Sequence, residues 1–103
     1  MLIVIGRVAV AEGKHDELRA LMETMQTESR AEPGCIDYGF FTAVEDPDEF
    51  VAVELWESKE ALQAHFVAPS VASFSTGLVG LVAGEPKVEI HHVEKTTDFP
   101  NLD

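Results

Sequence analysis

The sequence has few basic residues: 7 Lys and Arg stand against 19 Asp and Glu in 103 residues, a formal net charge of −12. Such a charge repels phosphate backbones and anionic lipid surfaces, so we expect neither nucleic acid nor membrane as a partner. No apolar run is long enough for a signal-peptide core or a membrane span, because Arg7 interrupts the run of Met1 to Val10. We therefore expect a cytoplasmic protein.

Cysteine is equally scarce, and the single Cys35 excludes an intrachain disulfide. A lone thiol beside a glycine is more often a small buried apolar group than a nucleophile. No two histidines stand at a helical ligand spacing, and His91 and His92 are strand neighbours that point to opposite faces. No Gly-rich phosphate loop or nucleophile elbow is present. We expect no metal site.

The apolar residues follow two patterns, an alternation typical of strands and a repeat of three to four residues typical of helices. These patterns divide the chain into strands and helices. Leu2 to Val10 is rich in Val and Ile and predicts a strand. After Gly13 the apolar residues recur at steps of three and four, which predicts an amphipathic helix that ends near Pro33 and Gly34. The stripe of this helix consists of Leu18, Leu21, Met22, Met25 and Ser29.

The middle of the chain predicts a β-hairpin. Cys35 to Val44 alternates, and Phe50 to Trp56 returns after an acidic turn that contains Asp46-Pro47. The alternation predicts that one face of the first strand carries Ile36, Tyr38, Phe40 and Thr42. The other face is predicted to carry Asp37, Gly39, Phe41 and Ala43.

Two short helical segments and a strand follow. Ser58 is a good N-cap for the first segment, Pro69 interrupts it, and Ser70 would cap the second. The apolar face of the first segment holds Ala61, Leu62, His65 and Phe66. The stripe of the second consists of Val71, Phe74, Leu78, Leu81 and Val82. Lys87 to Glu94 alternates and predicts the last strand.

The resulting order is β-α-β-β-α-α-β. If the two short helices are one broken element, this is the ferredoxin-like β-α-β-β-α-β pattern, an α+β fold with an antiparallel sheet. We expect one domain over residues 1–95 and a polar C-terminal tail over residues 96–103. The strands are apolar on both faces, whereas helices cover only one. The second face therefore predicts a homodimer whose sheets pack face to face.

Several of these segments resemble the antibiotic biosynthesis monooxygenase family of dimeric α+β-barrel proteins. The resemblance is carried by Trp56-Glu57-Ser58 followed by Leu62, Ala64-His65 and Pro69. Glu32-Pro33-Gly34-Cys35 with Tyr38 is similar to the start of that family's second strand, and the first strand followed by Gly13 agrees in placement. The similarity extends from about Met1 to Val93.

This resemblance implies a fold and a reaction type. The family includes small oxygenases that act on quinols, anthrones and related polyphenolic aromatics with molecular oxygen and without metal or organic cofactor. It also includes isomerases of small sugar-like signals and haem-degrading enzymes. The haem branch is disfavoured, because its Asn, Trp and His ligand would fall on Gly6, His65 and Ser75. We expect no cofactor.

His65 is the first candidate catalytic residue. It lies on the apolar face of its helix, and a neutral imidazole with a pKa near 6.5 can accept a phenolic proton. The alternative is a buried histidine that ties helix to sheet. Trp56, which ends the third strand, would wall an aromatic substrate and donate its N–H, or else pack in the core.

Tyr38 and Arg7 complete the predicted catalytic set. Tyr38 would hydrogen-bond a substrate oxygen, or it is an ordinary sheet aromatic. Arg7, a charge inside an apolar strand, would steady a substrate oxyanion or pair with a carboxylate across the sheet such as Glu54 or Glu89. The predicted apolar walls of the substrate pocket are Phe40, Phe41, Phe66, Phe74 and Leu78.

The leading functional hypothesis is a cofactor-independent monooxygenase that oxidises a small quinol, anthrone or related polyphenol. In it His65 is the base, and a dry pocket protects the reactive intermediate from water. Two alternatives stay open. One is an isomerase of a small carbonyl signal compound on the same scaffold. The other is a non-catalytic dimeric ligand-binding or stress protein.

Overall fold

The computed structural model describes residues 1–103 as one α+β unit. Four strands and three helices follow one another in the predicted β-α-β-β-α-α-β order. Their bounds are β1 Leu2–Val10, α1 His15–Arg30, β2 Cys35–Thr42, β3 Glu49–Trp56, α2 Lys59–Phe66, α3 Pro69–Leu78 and β4 Val82–His92. The ferredoxin-like fold class is confirmed.

The four strands form one antiparallel sheet in the order β2-β3-β1-β4. The sheet therefore has β3 and β1 in its centre and β2 and β4 at its edges. Tyr38 of β2 lies opposite Glu54 of β3, and Glu54 lies opposite Val4 of β1. This register brings a tyrosine, a carboxylate and an apolar side chain into one row across the sheet.

The three helices cover one face of the sheet, which we call the inner face. Burial in β3 alternates along the strand, and the buried side chains are Phe50, Ala52, Glu54 and Trp56. The core consists of two neighbouring clusters. One contains Leu2, Val4, Met25, Tyr38, Trp56 and Leu62. The other contains Val10, Leu18, Met22 and Phe50.

The opposite, outer face has no covering element. Its central side chains are apolar and only partly buried: Ile3, Ile5, Val51, Val53 and Leu55. The strands are apolar on both faces, so an uncovered apolar outer face is what they predict for a single chain.

Helix boundaries follow from local signals. The Ser58 side chain accepts a hydrogen bond from the backbone N–H of Ala61, so the predicted N-cap of α2 is confirmed. Pro69 occupies the first turn of α3, where its missing N–H costs no helical hydrogen bond. Ala68 rather than Ser70 is therefore the residue that precedes this helix. The longest helix, α1, has 16 residues, and no helix combines the length and apolarity needed to cross a bilayer.

Three predicted details are wrong. A register shift between Cys35 and Asp37 moves Ile36 out of the predicted alternation, and its side chain is half exposed. β4 begins at Val82, five residues before the predicted Lys87, because an irregularity in its pairing with β1 accommodates Gly84. Val82 consequently belongs to β4, and α3 ends before Leu81.

Candidate active site

A cavity of about 260 Å³ lies between the inner face of the sheet and helices α1, α2 and α3. Its walls are mainly apolar, and the rings of Phe40 and Phe74 stack in it with centroids 5.7 Å apart. Pro86 and Val88 of β4 border the cavity, and Val88 is 61% exposed. Because no helix covers β4, the cavity is accessible from this edge of the sheet.

A polar group of three side chains lies in the cavity wall: Tyr38, Glu54 and His65. His65 Nε2 lies 3.7 Å from Glu54 Oε1. The other ring nitrogen, Nδ1, lies 2.9 Å from Oε2 of Glu32, which is not part of the cavity wall. His65 is therefore held between two carboxylates, one in the cavity wall and one outside it.

A close contact between two segments brings Glu32 to His65. The backbone N–H of Glu57 donates to the carbonyl of Gly34 at 2.9 Å, which fastens the α1–β2 turn to the start of α2. Gly34 has φ +84°, and a Cβ at this position would overlap the side chain of Ala61. Glycine is thus required twice at this turn, once for conformation and once for space.

Glu54 is an acidic residue at an inner-face position of a central strand. Burial raises the pKa of its carboxyl group, and hydrogen bonding from Trp56, the charge of His65 and the Tyr38 hydroxyl oppose that rise. The Trp56 indole N–H donates to Glu54 Oε1 at 3.0 Å. A carboxyl group with a raised pKa is a stronger base than an ordinary carboxylate, which suits it to accept and release a proton.

Tyr38 packs edge-on against the imidazole of His65, with ring centroids 5.6 Å apart. Burial, and next the charge of Glu54, raise the pKa of the Tyr38 phenol. The hydroxyl is thus held in its neutral form, in which it can donate a hydrogen bond. It is available to Glu54 or to an oxygen of a bound molecule.

Trp56 does not line the cavity. It is fully buried, and its ring lies 4.5 Å from that of His65, tilted by 34°. The indole therefore supports His65 from behind and fixes Glu54 through its N–H. This placement makes Trp56 a residue that orients the polar group.

Two other predicted residues are directed away from the polar group. Arg7 borders the cavity, but its guanidinium lies 3.3 Å from Glu49 Oε1 and is half exposed. Its ion-pair partner is thus Glu49, not Glu54 or Glu89. Phe41 does not line the cavity and is 58% exposed. The predicted wall residues that do line it are Phe40, Phe66, Phe74 and Leu78.

Glu32 and Glu54 are the site residues that the sequence analysis missed. The sequence patterns predict Glu54 only as a partner for Arg7. The pattern that identifies it is the alternation of β3, in which a carboxylate occupies one of four successive inner-face positions, between Ala52 and Trp56. Glu32 has no comparable pattern, because its contact with His65 joins residues 33 positions apart.

No group of three His, Cys, Asp or Glu side chains has the geometry to hold a metal ion. Cys35 is partly buried, and burial raises the pKa of its thiol. A raised pKa makes the thiolate scarce, so Cys35 is unsuited to act as a nucleophile.

Comparison with known proteins agrees with this architecture. The profile of the antibiotic biosynthesis monooxygenase family matches residues 1–76. An uncharacterized protein of Synechocystis is 32% identical over 95 residues, which cover 92% of this chain and 65% of that protein. The chain thus spans just under two thirds of that relative's length. Rv0793 of Mycobacterium tuberculosis, provisionally named a monooxygenase, is 34% identical over 69% of each chain.

Solved structures show the same fold. The structure of Rv0793 superimposes with a TM-score of 0.87 at 26% identity and covers 94% of this chain and 98% of its own. A Deinococcus radiodurans protein provisionally named an antibiotic biosynthesis monooxygenase reaches a TM-score of 0.90 at 22% identity, over 98% and 100% of the two chains. With the profile match over most of its length, the chain belongs to the antibiotic biosynthesis monooxygenase family.

Proposed function

We propose that the protein is a cofactor-independent monooxygenase that oxidises a small quinol, anthrone or related polyphenolic aromatic with molecular oxygen. The observation that carries the proposal is the imidazole of His65 in the wall of an apolar, aromatic-lined cavity, in contact with the carboxyl group of Glu54. The family and the provisional name of Rv0793 support the reaction type.

The proposed reaction balances without a cofactor. The aromatic substrate loses two hydrogen atoms and gains one oxygen atom, and the second oxygen atom leaves with the two hydrogens as water. The substrate supplies all four electrons that dioxygen takes up. The protein has to generate the electron-rich phenolate, keep water away and return a proton when water forms.

The residues of the cavity divide these tasks. Glu54 and His65 accept the phenolic proton, and the neutral hydroxyl of Tyr38 hydrogen-bonds a substrate oxygen. Trp56 holds both Glu54 and His65 in place. The apolar walls, which include Phe40 and Phe74, exclude water that would quench a radical or peroxide intermediate.

The cavity volume favours substrates of two fused rings. An apolar protein cavity of about 150 Å³ accommodates benzene. The present cavity of about 260 Å³ is large enough for a two-ring quinol, and a three-ring anthrone would extend past Val88 into solvent. A substrate that carries a permanent anionic group, such as a carboxylate, is disfavoured by the net charge of −12 and by the two carboxylates around His65.

Oxygen uptake by the metal-free protein tests the proposal, with a panel of benzene-, naphthalene- and anthracene-based substrates. Heat-denatured protein corrects for autoxidation, and mass spectrometry identifies the product. We expect catalysed uptake with one oxygen atom added to the product, and a loss of turnover of at least about tenfold in His65→Ala. Unchanged turnover in His65→Ala would give His65 a structural role.

The same assays separate the alternatives. Product that forms equally well without oxygen would indicate an isomerase. Stabilisation of the fold by an aromatic ligand, without any product, would indicate a binding protein.

We also propose that the outer face of the sheet is covered by a second copy of the chain. The support is the row of partly exposed apolar residues, among them Ile5 and its partner Val53. Sedimentation is expected to give a dimer for the wild type and a monomer for Val53→Glu. Glu85→Lys, a charge change on the exposed edge strand, is the control. A stable wild-type monomer would contradict the proposal.

A further inference from the structure

Glu32 has no role in the mechanism proposed above, although its carboxylate makes the shorter of the two contacts with His65. Nδ1 of His65 lies 2.9 Å from Glu32 Oε2, compared with 3.7 Å between Nε2 and Glu54 Oε1. The side chains of Glu54, His65 and Glu32 are 11%, 4% and 20% exposed, respectively. Of these three side chains, Glu32, which lies outside the cavity, is thus the most accessible to solvent.

We propose that Glu54, His65 and Glu32 form a proton path between the cavity and bulk water, with Glu32 as its outer end. This inference rests on the proposed function, because a path is needed only if a bound molecule ionises in the cavity. The two ring nitrogens of an imidazole can accept a proton on one side and release another on the opposite side. His65 lies between two carboxyl groups, so Glu54 can deliver a proton to Nε2 while Glu32 accepts the proton that leaves Nδ1.

The path also restores itself during the cycle. When the substrate ionises, Glu54 receives its proton and passes it to Nε2, while Nδ1 releases its own proton to Glu32. His65 changes in this step from the Nδ1–H to the Nε2–H tautomer. Water formation later requires a proton in the cavity, and its return along the same path restores the first tautomer. No net proton is gained or lost by the protein.

The surroundings of His65 favour this role. The groups that face its ring are Glu32, Glu54, the phenol of Tyr38, the indole of Trp56 and the phenyl ring of Phe66. None of them is a cation that would repel a protonated imidazole. Arg30, at the end of α1, donates its Nε–H to the backbone carbonyl of Tyr38 at 2.7 Å.

Glu32→Gln separates a proton path from a merely structural contact. The amide oxygen of Gln still accepts a hydrogen bond from His65 Nδ1–H, but the amide cannot take up the proton. Glu32→Asp retains the carboxylate and is the conservative variant. Glu28→Gln removes an equal charge from an exposed position near the end of α1 and is the matched control.

The first measurement needs neither ligand nor activity. Nitrogen-15 NMR of the His65 ring in the free protein reports which nitrogen carries the proton. We expect the Nδ1–H tautomer in the wild type, in Glu32→Gln and in Glu28→Gln, because the acceptor on this side is retained. A resting Nε2–H tautomer in the wild type would overturn the proposal, since Nε2 could then not receive a proton from Glu54.

The second measurement follows ionisation of 1-naphthol, bound without oxygen, by its absorbance after a rapid change of pH. Relaxation in Glu32→Gln is expected to be at least about tenfold slower than in the wild type. Small external buffers should restore the rate in proportion to their concentration, a response that a structural contact does not produce. Glu32→Asp should relax faster than Glu32→Gln, and Glu28→Gln should match the wild type. Equal relaxation in Glu32→Gln and the wild type would overturn the proposal.

The outcomes distinguish this inference from the proposed function. If oxygen uptake is absent but naphthol ionisation depends on Glu32, the path exists and the oxygenase proposal fails. If oxygen uptake occurs and neither its rate nor its pH profile changes in Glu32→Gln, the oxygenase proposal stands and the path fails.

Discussion

Strands β3 and β4 both pair with β1 along almost its whole length, but they differ in burial. In β3 every second side chain is buried, from Phe50 to Trp56. In β4 every residue after Val82 is exposed, including Val88 and Ile90, which share the inner side of the sheet with Gly6 and Val4. Antiparallel pairing alone therefore does not bury a strand, because burial depends on the helices that cover it.

The difference explains where the site lies. On the covered side, packing around Trp56 can hold Glu54 and His65 in one arrangement. On the exposed side, Pro86 and Val88 border the cavity without closing it. A rigid polar end and an accessible edge are what a small enzyme needs to position a ligand and to exchange it.

Replacement of Trp56 should have the largest effect on stability. Trp56→Ala removes a fully buried ring and is expected to lower the free energy of unfolding by about 3–5 kcal/mol. Val88→Ala on β4 is the matched control, with an expected loss within about 0.5 kcal/mol. Urea denaturation measures both. Equal losses would show that β4 is as buried in solution as β3.

Two glycines with positive φ extend the comparison from strands to packed and exposed backbone: Gly34 in the α1–β2 turn packs against α2, whereas Gly84 lies on β4. Gly84→Ala on β4 is expected to cost about 1–2 kcal/mol, the strain of a left-handed residue, because no atom lies near its Cβ position. Gly34→Ala carries the same strain and also overlaps Ala61, which adds about 1–3 kcal/mol. Denaturation of the two variants gives the difference. Equal costs would mean that α2 moves freely away from Gly34.

The fold was largely predictable, because it depends on local periods that the sequence displays. The strand periods, the helical stripe of α1 and the Ser58 cap each specify one element. The errors arose where pairing overrides local pattern. Ile36 is displaced by a register shift in β2. β4 begins at Val82 and continues through Gly84 and Pro86, residues that normally end a strand.

The site was predictable only in part, because its polar contacts join distant segments. The sequence identifies His65, Tyr38 and Phe74 as polar or aromatic residues on apolar faces, and these residues line the cavity. The contact of Glu32 with His65 depends on how the α1–β2 turn docks onto α2, which no local pattern encodes. The sequence also predicts the strand that carries Arg7. The side of the sheet to which its side chain points, and so its pairing with Glu49, depends on which face the helices cover.

The buried carboxyl group of Glu54 on β3 should make the free energy of unfolding depend on pH. Burial raises the folded-state pKa of Glu54, so its contribution to stability is complete below the unfolded pKa and is lost as pH rises through the folded value. Each unit by which folding raises the Glu54 pKa corresponds to about 1.4 kcal/mol in the free energy of unfolding. Relative to Glu54→Gln, the wild type should therefore become less stable as pH rises from about 4.

Denaturant titrations at several pH values check this expectation. Glu85→Gln, on the exposed strand, controls for the loss of one negative charge. A wild type that gains stability over Glu54→Gln as pH rises would mean that the hydrogen bond from Trp56 and the charge of His65 outweigh burial.

The smallest effect is expected for Arg7, whose side chain tests whether the outer face takes part in chemistry. Its ion pair with Glu49 is half exposed, and such pairs contribute about 0–1 kcal/mol to stability. Arg7→Gln should therefore change the free energy of unfolding by no more than this amount. Turnover should be unchanged, because the guanidinium is engaged with Glu49 and not with the polar end of the cavity. A loss of turnover as large as that of His65→Ala would show that Arg7 turns toward the substrate when the cavity is occupied. The contrast between a catalytic inner face and an inert outer face would then fail at this strand.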